Sequence, residues 1–195
     1  GSSGAGKTTL IDILLGLLVP SSGTILLDDK PISEVMDSWR NLIAYIPQES
    51  LLINESLALN IMLSDKLGES EEFHLSETID KAQLNDVISN LPNGIKSNLG
   101  EGGIKLSGGQ RQRVSLARAI FHSRDVLIFD EATSALDTET EKEVMKEIIK
   151  MKGTKTLILV AHRTDTLKFC DRIFELNQGS VIKSGSPNEI LGKIN

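Results

Sequence analysis

Paired cysteines, a long apolar run and an excess of positive charge are all missing from this chain of 195 residues. Its single cysteine, Cys170, rules out an intrachain disulfide, and a reducing compartment is the simpler expectation. No nucleophile motif surrounds Cys170, so it reads as a small packed residue rather than a reactive thiol. The longest apolar stretch, Leu10 to Val19, is interrupted by Asp12 and Gly16 and falls short of the ~20 apolar residues a membrane helix needs. No signal peptide, internal repeat or low-complexity tract is visible. The net charge of −6 argues against non-specific nucleic-acid binding, which runs on Lys and Arg against phosphate, and no nucleic-acid partner is expected. The first residue is Gly1 rather than Met, so the chain is expected to be a fragment or a processed product.

What remains is the make-up of an ordinary globular domain, with 39% hydrophobic and 25% charged residues. Residues 9–18 read as a helix after a Gly-rich turn, with Leu10, Ile13, Leu14, Leu17 and Leu18 on one face. Thr24 to Leu27 is β-rich, Asp28 to Pro31 reads as a turn, and Leu42 to Ile46 as a short buried strand. Residues 49–106 are polar, helix-prone and broken by Asn, Ser and Gly. They read as a mostly helical insertion, with one amphipathic helix carrying Ile79, Ala82, Leu84 and Val87. An α/β rhythm then resumes: helix 110–121, strand 126–129, helix 139–151 and strand 156–160. Asn177-Gln178-Gly179 sits between two strand-like runs as a hairpin signal, and Ser186-Pro187-Asn188-Glu189 reads as a capping box.

Three motifs carry chemistry. Gly1-Ser2-Ser3-Gly4-Ala5-Gly6-Lys7-Thr8 satisfies every fixed position of the phosphate-binding loop G-x-x-x-x-G-K-[ST]. Its glycines let successive N–H groups turn toward phosphate oxygens, and the helix behind them offers its positive end to the same anion. Lys7 can reach the β- and γ-phosphates, and the Thr8 hydroxyl suits Mg²⁺, a hard cation. The strand Val126 to Phe129 runs into Asp130 and Glu131. Asp130 is placed to hold the Mg²⁺ shell, and Glu131 to polarise or deprotonate a water. The third motif is Leu106-Ser107-Gly108-Gly109-Gln110-Arg111-Gln112-Arg113, in which Ser107, Gly108 and Gly109 open a helix as a second anion site.

This octet resembles the signature motif of the ABC ATPases, which separates that family from other phosphate-loop NTPases, and the resemblance covers essentially the whole chain. It implies an α/β fold: a P-loop NTPase (RecA-like) core in 1–48 and 107–195, a mostly helical insertion subdomain in 49–106, and a small antiparallel β portion. Gln48 resembles the Q-loop glutamine, Asp130 to Asp137 resembles Walker B running into the D-loop, and His162 resembles the switch histidine. The implied nucleotide contacts are Gly1, Ser2, Ser3, Gly4, Ala5, Gly6, Lys7, Thr8 and Thr9 from one chain, with Ser107, Gly108, Gly109, Gln110 and Asp137 from a second. Glu131, His162 and Gln48 are the implied catalytic residues, and Thr8, Gln48 and Asp130 the implied Mg²⁺ ligands. The resemblance further implies ATP as substrate, a second nucleotide-binding domain in a homo- or heterodimer, and a transmembrane domain of an ABC transporter at the cytoplasmic face of a membrane.

Gly100-Glu101-Gly102-Gly103 resembles the exporter segment that touches transmembrane coupling helices, although exporters commonly carry Arg or Asn where Gly102 stands. The strand before the loop and the family's adenine-stacking aromatic would both precede Gly1, and neither Trp39 nor Tyr45 is assigned the stacking role. Two other readings stand beside the exporter: a soluble ABC ATPase of DNA repair or translation, and a nucleotide-binding regulatory module without turnover. Acidic charge counts against the first, and the presence of both Glu131 and His162 against the second.

Overall fold

The computed structural model describes residues 1–65, 68–161 and 164–192. The chain forms two compact units, Gly1–Ile43 with Leu159–Asn195, and Ala44–Ile158.

In the first unit the phosphate loop runs directly into α1 (Lys7–Leu14). Gly6, at φ 97°, makes the left-handed turn that starts the helix, a backbone state costly for any residue with a Cβ. The helix is shorter than the sequence expectation of 9–18 and begins two residues earlier. Gly16 at φ 70° ends the helical path, and the N–H groups of Leu17 and Leu18 both fold back onto the Asp12 carbonyl. The expected apolar face is corrected with it: Ile11 is the buried residue, whereas Leu10, Leu17 and Leu18 are exposed. Strands β1 (Leu26–Leu27) and β2 (Lys30–Pro31) pair around Asp28 and Asp29, both at positive φ. Lys30 and Pro31 thus belong to a strand rather than the turn. Pro31 is tolerated because this two-stranded ribbon is all edge. Helix α2 (Met36–Leu42) follows, and its Trp39 indole donates to the Leu14 carbonyl at the end of α1.

Later in the chain come α8 (Thr164–Leu167) and the hairpin β6 (Ile173–Asn177) and β7 (Ser180–Gly185). The hairpin closes on Gln178 and Gly179, both at positive φ, as the right-handed strand twist prefers. The expected capping box forms at the start of α9 (Pro187–Leu191): Ser186 Oγ meets the backbone N–H of Glu189, and the Glu189 carboxylate accepts from Ser186 N.

The second unit contains α3 (Leu57–Met62), α4 (Glu69–Lys81), α5 (Asn85–Ser89), α6 (Gly108–Phe121) and α7 (Thr138–Lys150). Strands β3 (Ile43–Ile46), β4 (Val126–Asp130) and β5 (Thr156–Val160) form a parallel sheet with β4 in the centre. Leu127 and Ile128 on β4 are completely buried, as expected for a central parallel strand; β5 is only half-buried. Helix α6 packs against α3 and α4 over Leu57, Ile61, Leu75 and Val114, all at most 1% exposed. Each contributes on the order of 2 kcal/mol through burial, which fixes the helix that carries the signature motif.

The single helix expected around 79–87 is in fact two. All four residues named for it are buried, but Gln83 at φ 54° breaks the chain between α4 and α5. The break is held from α6, where the Arg113 guanidinium donates to the Gln83 carbonyl and to both carboxylate oxygens of Asp86. A second clamp is Asn60, fully buried, whose amide satisfies Ile53 N, Ile53 O and Ser56 O and so pins the loop ahead of α3. Among the described residues no helix is long and apolar enough to cross a membrane.

Candidate functional site

The phosphate loop is built within the first unit. The Ala5 N–H bonds to the Ser2 carbonyl, and the Ala5 carbonyl accepts from the Gly179 N–H in the β6–β7 turn. A Cβ on Gly1 would run into the Leu176 carbonyl, and one on Gly6 would press on Gly179 at 3.3 Å. The hairpin therefore braces the loop from behind, and glycine at positions 1 and 6 allows that close approach. The Lys7 ammonium is held across the loop by the carbonyls of Gly1 at 3.1 Å and Ser2 at 2.9 Å. No side chain caps the start of α1, and Thr8 and Thr9 in its first turn are exposed. Loop amides, a helix N-terminus and a fixed ammonium make an anion cradle.

The carboxylates sit in the second unit, at the carboxyl end of β4. Asp130 is 9% exposed and accepts the Tyr45 hydroxyl of β3 at 3.1 Å. Glu131 follows at φ 51°, a backbone conformation that costs a non-glycine residue on the order of 1 kcal/mol or more. Such strain persists only where neighbouring structure imposes it. Here the Glu131 carbonyl accepts from Ser134 N, and its carboxylate accepts from the Gln48 amide at 3.2 Å. Gln48, just beyond β3, is thereby placed against Glu131 although 83 residues separate them.

Helix α6 starts at the signature motif. Ser107 and Gln110 form a reciprocal capping box, the hydroxyl taking Gln110 N and the Gln110 side chain taking Ser107 N. Of the groups expected at this second anion site, Ser107 N–H and Gln110 are therefore engaged in the cap. The Gly108 and Gly109 N–H groups lie in the first turn, which leads with its positive end. The loop after Glu131 is seated on this helix: a Cβ on Gly109 would lie 2.7 Å from the Ala135 carbonyl oxygen and 3.3 Å from Leu136 Cδ2. Asp137 caps α7, accepting from the N–H groups of Glu139 and Thr140 and from the Thr140 hydroxyl. Those bonds, the Thr140 N–H foremost, hold its carboxyl below the usual aspartate range. Thr133 donates to the buried Glu141 carboxylate of α7, so the 131–137 loop is anchored on that side too.

Ser107, Gly108, Gly109 and Gln110 thus share one helix start; Asp130 and Glu131 lie at the end of β4, and Gln48, just beyond β3, bonds to Glu131. In the other unit Gly1, Ser2, Ser3, Gly4, Ala5 and Gly6 form the loop, and Lys7, Thr8 and Thr9 the first turn of α1. His162, the expected switch histidine, lies outside the described residues. Tyr45 was not assigned a role from sequence; its place beside Asp130 depends on β3 being hydrogen-bonded to β4, which no local pattern reveals.

Comparison with known proteins gives the family. The family model described as ABC transporter matches residues 1–134, more than half of the chain. An ATP-dependent lipid A-core flippase of Ralstonia nicotianae is 37% identical over 195 residues, covering 99% of this chain and 33% of that protein. An ABC transporter ATM1 of Toxoplasma gondii is 37% identical, with 99% of this chain and 17% of that protein covered. Among solved structures, a bacterial Atm1-family ABC exporter with ATP bound superposes with a TM-score of 0.90 at 37% identity, covering 98% of this chain and 33% of that one. The chain spans about a third of the length of the flippases it matches. The chain belongs to the ABC transporter family, as its ATPase domain with a P-loop NTPase fold.

Proposed function

We propose that this domain drives an ABC exporter or flippase by closing on ATP against a second nucleotide-binding domain and hydrolysing it. The names of its relatives, lipid A-core flippases and Atm1-type exporters, support export, and their threefold greater length leaves room for the membrane part. The observation that carries the reading is the contact of Gln48 with Glu131 beside the buried Asp130.

In this proposal Lys7 and the loop N–H groups from Gly1 to Thr9 hold the β- and γ-phosphates. Ser107, Gly108 and Gly109 of the second domain meet the γ-phosphate from the other side, with Gln110 fixing the cap and Asp137 the following loop. Thr8, Gln48 and Asp130 offer hydroxyl, amide and carboxylate oxygens, a hard donor set that suits Mg²⁺. Bound there, Mg²⁺ would neutralise charge on the phosphate oxygens. Glu131 orients a water and takes its proton as the water oxygen attacks the γ-phosphorus and the bond to the ADP oxygen breaks. His162 adds a contact to the γ-phosphate.

Residues 49–106 form the helical subdomain that passes this cycle to transmembrane helices. The Gly100–Gly103 segment lies toward them, with three glycines at positive φ that shape its turns. The location is the cytoplasmic face of a membrane.

Two measurements bear on this. In proteoliposomes of the full-length protein, ATP is expected to move an amphipathic lipid between leaflets, and Glu131→Gln to abolish the movement. Intact ATP turnover with no lipid movement would contradict the flippase reading. Separately, Gly109→Ala is expected to cut turnover by about tenfold or more, because the added Cβ displaces the Ala135 carbonyl and with it the loop behind Glu131. The clash is with backbone, so stability should fall too, by about 1–3 kcal/mol offset in part by alanine's better helix propensity, while the variant still folds. Wild-type turnover in this variant would show that the close approach is unimportant.

A further inference from the structure

Gln112 stands one turn beyond Gly109 on the same face of α6 and is 3% exposed. Its amide nitrogen donates to the Gln48 backbone carbonyl at 3.1 Å and to the Ser134 hydroxyl at 3.4 Å. Its amide oxygen accepts from the Ala135 N–H at 3.1 Å. One buried side chain thus links three segments: the signature helix, the strand end that presents Gln48, and the loop that follows Glu131. Ala135 is exposed, so Gln112 supplies the protein partner for its N–H in a place where water would otherwise compete. The close seating of Gly109 on Ala135 shows the same helix face pressed onto the same loop through an independent contact.

We propose that Gln112 is a positioning residue for hydrolysis. It holds the Gln48 backbone and the 134–135 backbone in one register, so that the Gln48 and Glu131 side chains keep their 3.2 Å contact and shift only together with the signature helix. This rests on the roles assigned above to Gln48 and Glu131. The side chain does not touch the reacting atoms; it acts through two backbones. Glutamine suits the task because its amide presents a donor and an acceptor side by side, as a peptide group does. Glutamate of the same size, when ionised, keeps the acceptor for Ala135 and loses the donor to Gln48. Methionine fills the space and loses both.

The test uses the full-length protein with Gln112→Met and Gln112→Glu, alongside Glu131→Gln. Expected for Gln112→Met is a turnover about ten- to a hundredfold lower with ATP affinity within about threefold of wild type, since misplacement by ~1 Å costs rate rather than binding. Hydrogen exchange without nucleotide should show the Ala135 amide exchanging at least ~tenfold faster while the α6 amides stay protected. Expected for Gln112→Glu is a slowed turnover with the Ala135 amide still protected. Unchanged turnover in both variants, or an Ala135 amide unaffected by Gln112→Met, overturns the proposal. If methionine loosens α6 itself, the glutamate variant decides, and wild-type turnover there overturns it. An unaltered turnover in Glu131→Gln would sink the catalytic reading instead, and the nucleotide-free exchange result would stand apart from it.

Discussion

Replacing Glu131 by glutamine is expected to lower ATP turnover by about a hundred- to ten-thousandfold, the range for losing a general base. ATP affinity should hold or rise, because in the proposed role the change removes a negative charge that would face the γ-phosphate. The fold should be nearly indifferent. Glutamine is isosteric, its amide oxygen can still accept from Gln48, and the backbone strain at φ 51° is the same for both residues. Loss of rate without loss of binding or stability distinguishes a group acting on the attacking water from one that holds nucleotide. Steady-state turnover, a binding isotherm and a melting curve on one preparation check it; turnover within twofold of wild type would remove Glu131 from the chemistry.

The Lys7→Ala exchange is expected to do the opposite. ATP affinity should fall about a hundredfold, equivalent to ~2.7 kcal/mol, within reach of one or two charge-assisted hydrogen bonds to phosphate. Stability should fall by less than ~1 kcal/mol, since the bonds from Lys7 to the Gly1 and Ser2 carbonyls are exposed to water. Lys7→Arg is not expected to restore binding. The loop wraps a compact ammonium between two carbonyls, and a planar guanidinium does not fit that place. Calorimetric titration with ATP measures both variants, and an affinity within threefold of wild type would remove Lys7 from the phosphate site.

How far the sequence carried depended on the range of each interaction. The helix behind the Gly-rich loop, the capping box at Ser186 and the hairpin at Gln178-Gly179 obey rules spanning a few residues, and the structure has each of them. The strand that ends in Asp130 and Glu131 was equally legible, because continuous burial leaves a continuous apolar run. Failures came where a distant partner sets the local outcome. Gln83 carries no breaker signal, yet it divides α4 from α5 because Arg113, thirty residues on, takes its carbonyl. Gly16 falls inside the expected helix 9–18 and instead ends the helical path. Gln112 looked like one letter of a motif, and its partners lie 64, 22 and 23 residues away. Tyr45 reaches Asp130 across 85 residues through a strand pairing that composition cannot show.

The central claim is that ATP is held between two copies of this domain, the loop of one facing the signature helix of the other. The most direct measurement is the mass of the Glu131→Gln protein by light scattering with and without Mg·ATP, with nucleotide binding followed in parallel. A shift from monomer to dimer on adding Mg·ATP, lost again in the Glu131→Gln, Gly109→Ala double variant, is the expected result. A protein that binds Mg·ATP and stays monomeric would contradict the paired site.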